Sequence, residues 1–442
     1  MIDNCSFYQK SRQKLMALLT DNSAVIVPSG EEQIRNRDVE FPFRADSDFI
    51  YLTGFEEPDS VLVLLKKEGV ESHLFIRPKD LEQETWQGRR LGVEAAPSYL
   101  AIDSAFAIDE LDEAVLLLLE GVESVYVSFS QSPDFLSTIH SWIHTLKQKV
   151  RKGIEAPKQV CDLDVYLHEM RVIKTELEIQ FLRKAATISV QGHLAAMKAV
   201  QSSQFEFQVQ AALESEFVRL GSPRVAFNSI VASGENACIL HYTENRSEIR
   251  QGDLVLVDAG AEWQGYAGDI TTTFPASGKF SDTQAQLYSL VLAAQQAAIE
   301  AIKPGVVYDV IHQASARVLT AGLLELGILQ GALETLISEE AYKRFFMHGT
   351  GHWLGMDVHD VGAYKQNQQW RALKAGMVLT VEPGLYISAD HQEVDSKWHN
   401  IGIRIEDDIL VTESGCEVLT LGLPRTVTEI ETWMSQELTK ES

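Results

Sequence analysis

The sequence predicts an α/β domain followed by an α+β domain built round a curved antiparallel sheet. Two observations predict it. Residues 23–130 alternate short β-rich runs with helical stretches, and beyond about residue 170 helices mix with antiparallel strand pairs. At 442 residues the chain exceeds one ordinary core, so two domains are expected, 1–170 and 171–442.

In the first domain MIDNCSFYQKSRQKLMALL reads as an amphipathic helix; it lacks the basic, apolar and cleavage regions of a secretory signal. SAVIVPSG, SVLVLLKK, SHLFIRP and SVYVSFS read as strands, being β-branched or aromatic and bounded by turn formers. LDEAVLLLLEG and the stretch Phe135–Val150 have helical period and length. Gly88 and Gly92 in WQGRRLG lack the strand-glycine-helix context of a phosphate-binding loop. GIEAPKQVCDLD, at 153–164, is polar and marks the approach to the domain boundary.

A long amphipathic helix then starts at Thr175, whose hydroxyl and Glu178 form a capping-box pattern. GDLVLVDAG and YAGDITTTF read as a hairpin with Asp258 and Asp269 on one face, and Arg404 and Glu406 share a face of another strand. GKFSDTQAQLYSLVLAAQQAAIEAI is a strong helix capped by Ser281.

Composition excludes several functions. A net charge of −25 disfavours nucleic acid and anionic membranes as partners. The longest aliphatic run, AVLLLLEGVESVYV, is too short and too interrupted to span a bilayer. Cys5, Cys161, Cys238 and Cys416 are scattered without a CxxC pair, which suits a reducing cytoplasm and gives no thiolate zinc site.

The chemistry concentrates in five side chains: Asp258, Asp269, His352, Glu382 and Glu406. Each lies in an apolar, glycine-punctuated segment: LVLVDAG, GYAGDITTTF, HGTGHWLG, VLTVEPGLY and GIRIEDD. One such acid reads as a solvated charge. Four carboxylates converging in apolar surroundings repel one another unless cations balance them. Oxygen-rich ligation with one imidazole suits Mn²⁺, and also Co²⁺, Fe²⁺ or Zn²⁺. Two such ions about 3.5–4 Å apart share a bridging hydroxide and polarise a carbonyl, so a binuclear metal hydrolase is expected. His241, His348 and His359 flank these segments; HGTGH lacks the Glu of HExxH and its glycines oppose a metal-binding helix.

VDAGAEWQGYAGDITTTFP, HGTGHWLGMDVHDVG, MVLTVEPGLY and GIRIEDD resemble, in order and spacing, the M24 metallopeptidases of pita-bread fold. FPFRADSDFIYLTGF and TWQGRRLG resemble the aminopeptidase P branch, so the likeness covers nearly the whole chain. The resemblance implies a Mn²⁺-dependent enzyme that removes the N-terminal residue of peptides when proline is second. It implies one ion on Asp258, Asp269 and Glu406 and another on Asp269, His352, Glu382 and Glu406, with Glu382 doubling as base. His241, His348 and His359 would handle the carbonyl and the leaving proline, Arg404 would orient carboxylates and shuttle protons, and Tyr386 and Val358 would line the proline side. Trp86 would reach a neighbouring subunit's site in a homotetramer or dimer; the plain alternative is packing on its own domain. AYKQNQQWRAL departs from the pattern, which has an Arg soon after the Tyr; Gln368 stands there and Arg371 is the nearest Arg. Prolidase, restricted to dipeptides, shares the ligands, and a non-catalytic pita-bread module would usually lose some of them.

Overall fold

The computed structural model describes residues 5–436. Its contacts divide the chain into two compact units, with the division between Met170 and Arg171.

The first unit is a mixed six-stranded sheet. Its strands are β1 (Ser23–Pro28), β2 (Val61–Lys66), β3 (Val70–Ile76), β4 (Ser104–Ala107), β5 (Ser124–Val127) and β6 (Gln159–Asp162), in the order β4-β3-β2-β1-β5-β6. β1, β2 and β5 are near-continuous apolar runs because the sheet is covered on both faces. Helices α1 (Cys5–Leu18), α2 (Leu111–Leu118) and α3 (Pro133–Gln148) supply cover, with Val115, Ile139 and Trp142 packing against Ile26, Val63 and Phe75. The polar stretch 153–164, read as the approach to the domain boundary, contains β6. It is a short parallel edge strand on β5, half out in solvent, so the burial signal that marks β1 and β2 is missing.

The second unit opens with α4 (Glu176–Ala199), capped reciprocally by Thr175 and Glu178. α5 (Glu206–Arg219) packs beside it, then come β7 (Ile230–Ser233), β8 (Leu254–Asp258) and β9 (Thr271–Pro275). The antiparallel helix pair α6 (Asp282–Glu300), capped by Ser281, and α7 (Asp309–Glu325) precedes β10 (Val378–Val381), β11 (Gly384–Ile387), β12 (Ile401–Arg404), β13 (Asp407–Val411) and β14 (Cys416–Val418). The antiparallel expectation is met by three short ladders, β9-β8-β7, β11-β12 and β10-β13-β14. Backbone bonds knit them: the Glu406 amide donates to Thr271 O at 3.0 Å, and the Thr273 hydroxyl donates to Arg404 O at 2.9 Å. Among the described residues no helix is long and apolar enough to cross a membrane.

The expected Asp258–Asp269 hairpin is more elaborate than a turn. β8 and β9 pair with Asp258 opposite Thr271, while Asp269 stands two residues before β9. Between them a two-rung hairpin, Glu262–Trp263 with Tyr266–Ala267, turns through Gly265 at φ +77°. Gly260 and Gly268 let its two arms touch. A Cβ on Gly260 would stand 1.6 Å from the Gly268 carbonyl oxygen, which is backbone and cannot yield.

Gly260→Ala should therefore cost about 3 kcal/mol or more by overpacking, seen as a lower urea midpoint with an unchanged slope. A wild-type midpoint would show that the arms separate at no cost.

Candidate functional site

The termini of these ladders converge on a cavity of about 620 Å³. Asp258, Asp269, His352, Glu382, Glu406, His241, His348, His359, Arg404 and Val358 all line it. Asp258 arrives at the end of β8 and Glu382 just after β10. Glu406 sits between β12 and β13, two residues past Arg404.

One atom each from Asp269, His352 and Glu406 lie within 4.8 Å of one another. His352 Nε2 is 3.4 Å from Asp269 Oδ2 and 3.7 Å from Glu382 Oε1. Its Nδ1 donates to the Trp353 carbonyl at 3.0 Å, so in the neutral ring Nε2, which faces the acids, carries the lone pair.

Arg404 binds Asp258 Oδ2 through Nη2 at 2.6 Å, Tyr386 Oη through Nη1 at 2.9 Å, and Thr271 Oγ1 through Nε at 3.1 Å. Thr271 in turn donates to Glu406 Oε2 at 2.6 Å. One guanidinium thereby orients two of the acids, Asp258 directly and Glu406 through a threonine.

The electrostatics are those of acids short of cations. Burial, reinforced by Asp258, lifts Asp269 to about 6 despite its bond with His352. Burial likewise lifts Glu382 to about 7, against the pull of His352 and Arg404. Glu406 goes well above the carboxylate range, through burial and then the charges of Asp269 and Glu382. Burial opposes charge on His352, but the Asp269 hydrogen bond and the fields of Asp269 and Glu382 raise it to about 9. Asp258 Oδ1 is buried without a hydrogen-bond partner. An orphaned oxygen beside crowded acids and an aimed imidazole is what hard divalent cations need, and the residues present fit such ions.

Three sequence expectations change. Tyr386, expected on the proline side, is 1% exposed and stands behind His348 and Arg404, its ring in the core and its hydroxyl between them. His348 is engaged at both nitrogens: Nδ1 donates to Gly349 O at 2.7 Å, so Nε2 accepts from Tyr386 Oη at 2.8 Å. Burial and the nearby Arg404 press it down to about 3, so it stays neutral. Trp86 belongs to the first unit, where it is 84% exposed on the short helix Leu81–Gln87; packing on its own domain is not observed.

His241 and His359 reach the cavity with exposed rings, and His359 meets His352 edge-on at 4.3 Å between centroids. Gln368 lies at an exposed hairpin turn, and Arg371 is buried with Nη1 on Ala363 O, so neither lines the cavity.

Sequence reasoning passed over Thr271, although its position two after Asp269 puts it on the acid-bearing side. It also passed over Asp360, which follows His359 in the chain, is buried, and is tied to Lys174 at 2.8 Å and Arg171 at 2.6 Å. Phe227, Asn228, Leu240, Thr243 and Tyr364 complete the walls without any local signature.

With this geometry in place, comparisons with known proteins become informative. Residues 180–413 match metallopeptidase family M24, and residues 8–126 match the aminopeptidase P N-terminal domain. The chain is 44% identical to the Xaa-Pro aminopeptidase of Escherichia coli over 97% of each chain, with the same figures for that of Haemophilus influenzae. Among solved structures, an aminopeptidase of Pseudomonas aeruginosa superposes with a TM-score of 0.96 at 47% identity, covering 97% of this chain and 98% of that one. Zinc-substituted E. coli aminopeptidase P in complex with product superposes at 0.95 and 43% identity, with coverage of 97% and 98%.

A pH test follows from the site. Above pH 7 the unfolded chain has released the protons of its carboxylates and histidines. Folded metal-free protein still holds the proton on His352, whose affinity is raised to about 9. The folded state binds more protons, so stability falls as pH rises. The Tm of chelator-treated protein should drop between pH 7 and 9, and saturating Mn²⁺ should raise it most at pH 9. A metal-free Tm that climbs across that window would contradict the crowded-acid description.

Proposed function

This chain belongs to metallopeptidase family M24, with Xaa-Pro aminopeptidase activity, and we propose that Asp258, Asp269, His352, Glu382 and Glu406 hold two divalent ions, with Mn²⁺ the ion this ligand set suits. The observation that carries the ion reading is the cluster of buried acids facing one correctly tautomerised imidazole. Asp258, Asp269 and Glu406 would hold one ion; Asp269, His352, Glu382 and Glu406 the other. When bound, such ions polarise a carbonyl and acidify water.

The side chains divide the remaining work. Glu382, facing the cavity beside His352, accepts a proton from the attacking water. His241 and His359, whose rings are exposed to the cavity, contact the scissile carbonyl and the departing proline nitrogen. Arg404, Tyr386 and His348 form a hydrogen-bonded relay that orients Asp258 and holds His348 neutral, with His348 and Arg404 also lining the cavity. Water adds to the carbonyl, the C–N bond to proline breaks, and the proline nitrogen leaves protonated. Free amino acid and a peptide beginning with proline result.

Proline explains the specialisation. Its nitrogen has no N–H and its φ is fixed, so clefts that read an extended N–H ladder reject it. Val358 contributes apolar wall to the slot.

The exposed Trp86 supports assembly into a tetramer or dimer in which the first unit serves a neighbour's site. Four half-buried free cysteines support a reducing, cytoplasmic setting.

Two experiments test this reading. Mn²⁺-loaded protein should release Ala from Ala-Pro-Ala well ahead of Ala-Pro. Cleavage of the dipeptide alone would make it a prolidase, and cleavage of neither would leave a binding module. Trp86→Ala should raise KM without lowering Tm, and light scattering should give a mass above one chain. Unchanged kinetics or a monomer mass would remove the crossing role.

A further inference from the structure

His241 reaches the cavity from the segment 239–247, which is neither strand nor helix. A loop that presents a substrate contact must be held, because freedom of a side chain there dilutes the reactive geometry. The holding group is a carboxylate 36 residues before Tyr242.

Glu206 is the first residue of α5 and is fully buried. Its Oε1 accepts from the Ser233 amide at 2.8 Å, the Ser233 hydroxyl at 2.7 Å and Asn236 Nδ2 at 3.0 Å. Its Oε2 accepts from Tyr242 Oη at 2.8 Å and the Ser247 amide at 2.9 Å. Every one of these donors is neutral. A buried carboxylate satisfied this way is directional, since each lone pair is aimed at a fixed donor. The donors come from the end of β7, the turn after it, and both flanks of the His241 loop. Leu240, His241 and Thr243, which line the cavity, are thereby bracketed.

Neighbouring packing transmits the hold. Tyr242 is 8% exposed and packs with Ile230, Ala237 and Tyr386. A Cβ on Gly402 would come within 2.2 Å of the Ala237 oxygen, so the turn lies directly on β12, which carries Arg404. Farther along the loop Asn245, at φ +49°, makes a separate staple to Ser229 O at 2.8 Å and the Val231 amide at 2.9 Å. That staple keeps the loop attached when the Glu206 bonds are weakened.

We propose that Glu206 is a positioning residue for the aminopeptidase reaction, acting through Tyr242 to set His241 against the substrate. The claim rests on the reading of His241 as a substrate contact. Being structural in kind, it needs a readout that general destabilisation would not move, and a double-mutant cycle supplies one.

Glu206→Gln keeps the side-chain shape but turns one acceptor into a donor that cannot receive both Tyr242 and Ser247. Tyr242→Phe removes one hydroxyl and leaves the carboxylate, so it tests the link even if Glu206→Gln fails to fold. With Ala-Pro-Ala as substrate, kcat/KM should fall roughly tenfold in Glu206→Gln and about threefold in Tyr242→Phe. In a His241→Ala background each should cost less than about twofold, because the residue they position is gone. Equal losses in both backgrounds would overturn the proposal, as would wild-type kcat/KM in both folded variants. No cleavage by the wild-type protein would remove the activity reading itself, and the positioning role with it; cleavage with additive losses removes the positioning role alone.

Discussion

Mutual repulsion among buried acids governs the second unit. Asp258, Asp269, Glu382 and Glu406 meet in one cavity, where Arg404 lies against Asp258, His352 against Asp269 and Glu382, and the neutral His348 ring 3.8 Å from Glu382. Taking even one ionised carboxylate out of water costs several kcal/mol after relaxation, so four cannot share a site uncompensated. The protein compensates partly with its own groups. Arg404 grips Asp258 and the Thr271 hydroxyl donates to Glu406. The rest of the balance is left for divalent ions, and the raised proton affinities of Asp269, Glu382 and Glu406 measure that deficit.

The fold is arranged to bear this load. Asp258, Glu382 and Glu406 are placed at or just beyond a strand end and Asp269 two residues before one, so their backbones are fixed by the ladders while their side chains line the cavity. Close glycine contacts remove slack: Gly260 on Gly268, and Gly351, where a Cβ would meet the Thr380 oxygen at 1.9 Å. Asp360, clamped by Lys174 and Arg171, fixes the stretch holding Val358 and His359. The histidines divide accordingly. His352 is oriented by a carbonyl and His348 is locked into the Tyr386–Arg404 relay, while His241 and His359 keep open faces.

The five ligand candidates were legible because charge is rare in apolar runs, and LVLVDAG or VLTVEPGLY cannot be explained by solvation alone. Capped helices were legible too, since Thr175 with Glu178 and Ser281 with Gln284 are local patterns. What sequence could not show is partnership across long separations. Lys174 meets Asp360 over 186 residues, and nothing near either one announces it. Glu206 reads as an ordinary acid at a helix start, where the dipole already favours it. Tyr386 reads as a pocket aromatic; its burial is decided by Arg404 and His348 on other segments. The edge strand β6 was hidden because QVCD, exposed or half-exposed along its whole length, has neither the continuous apolar run of a covered strand nor a clear alternation.

The most direct test of the crowded-acid description is metal stoichiometry. Elemental analysis of purified protein, dialysed exhaustively after Mn²⁺ loading, should find two divalent ions per chain, and Asp269→Asn should lose both ions together with cleavage of Ala-Pro-Ala. Full activity in protein stripped of metal, or unchanged occupancy in the Asp269→Asn variant, would contradict it.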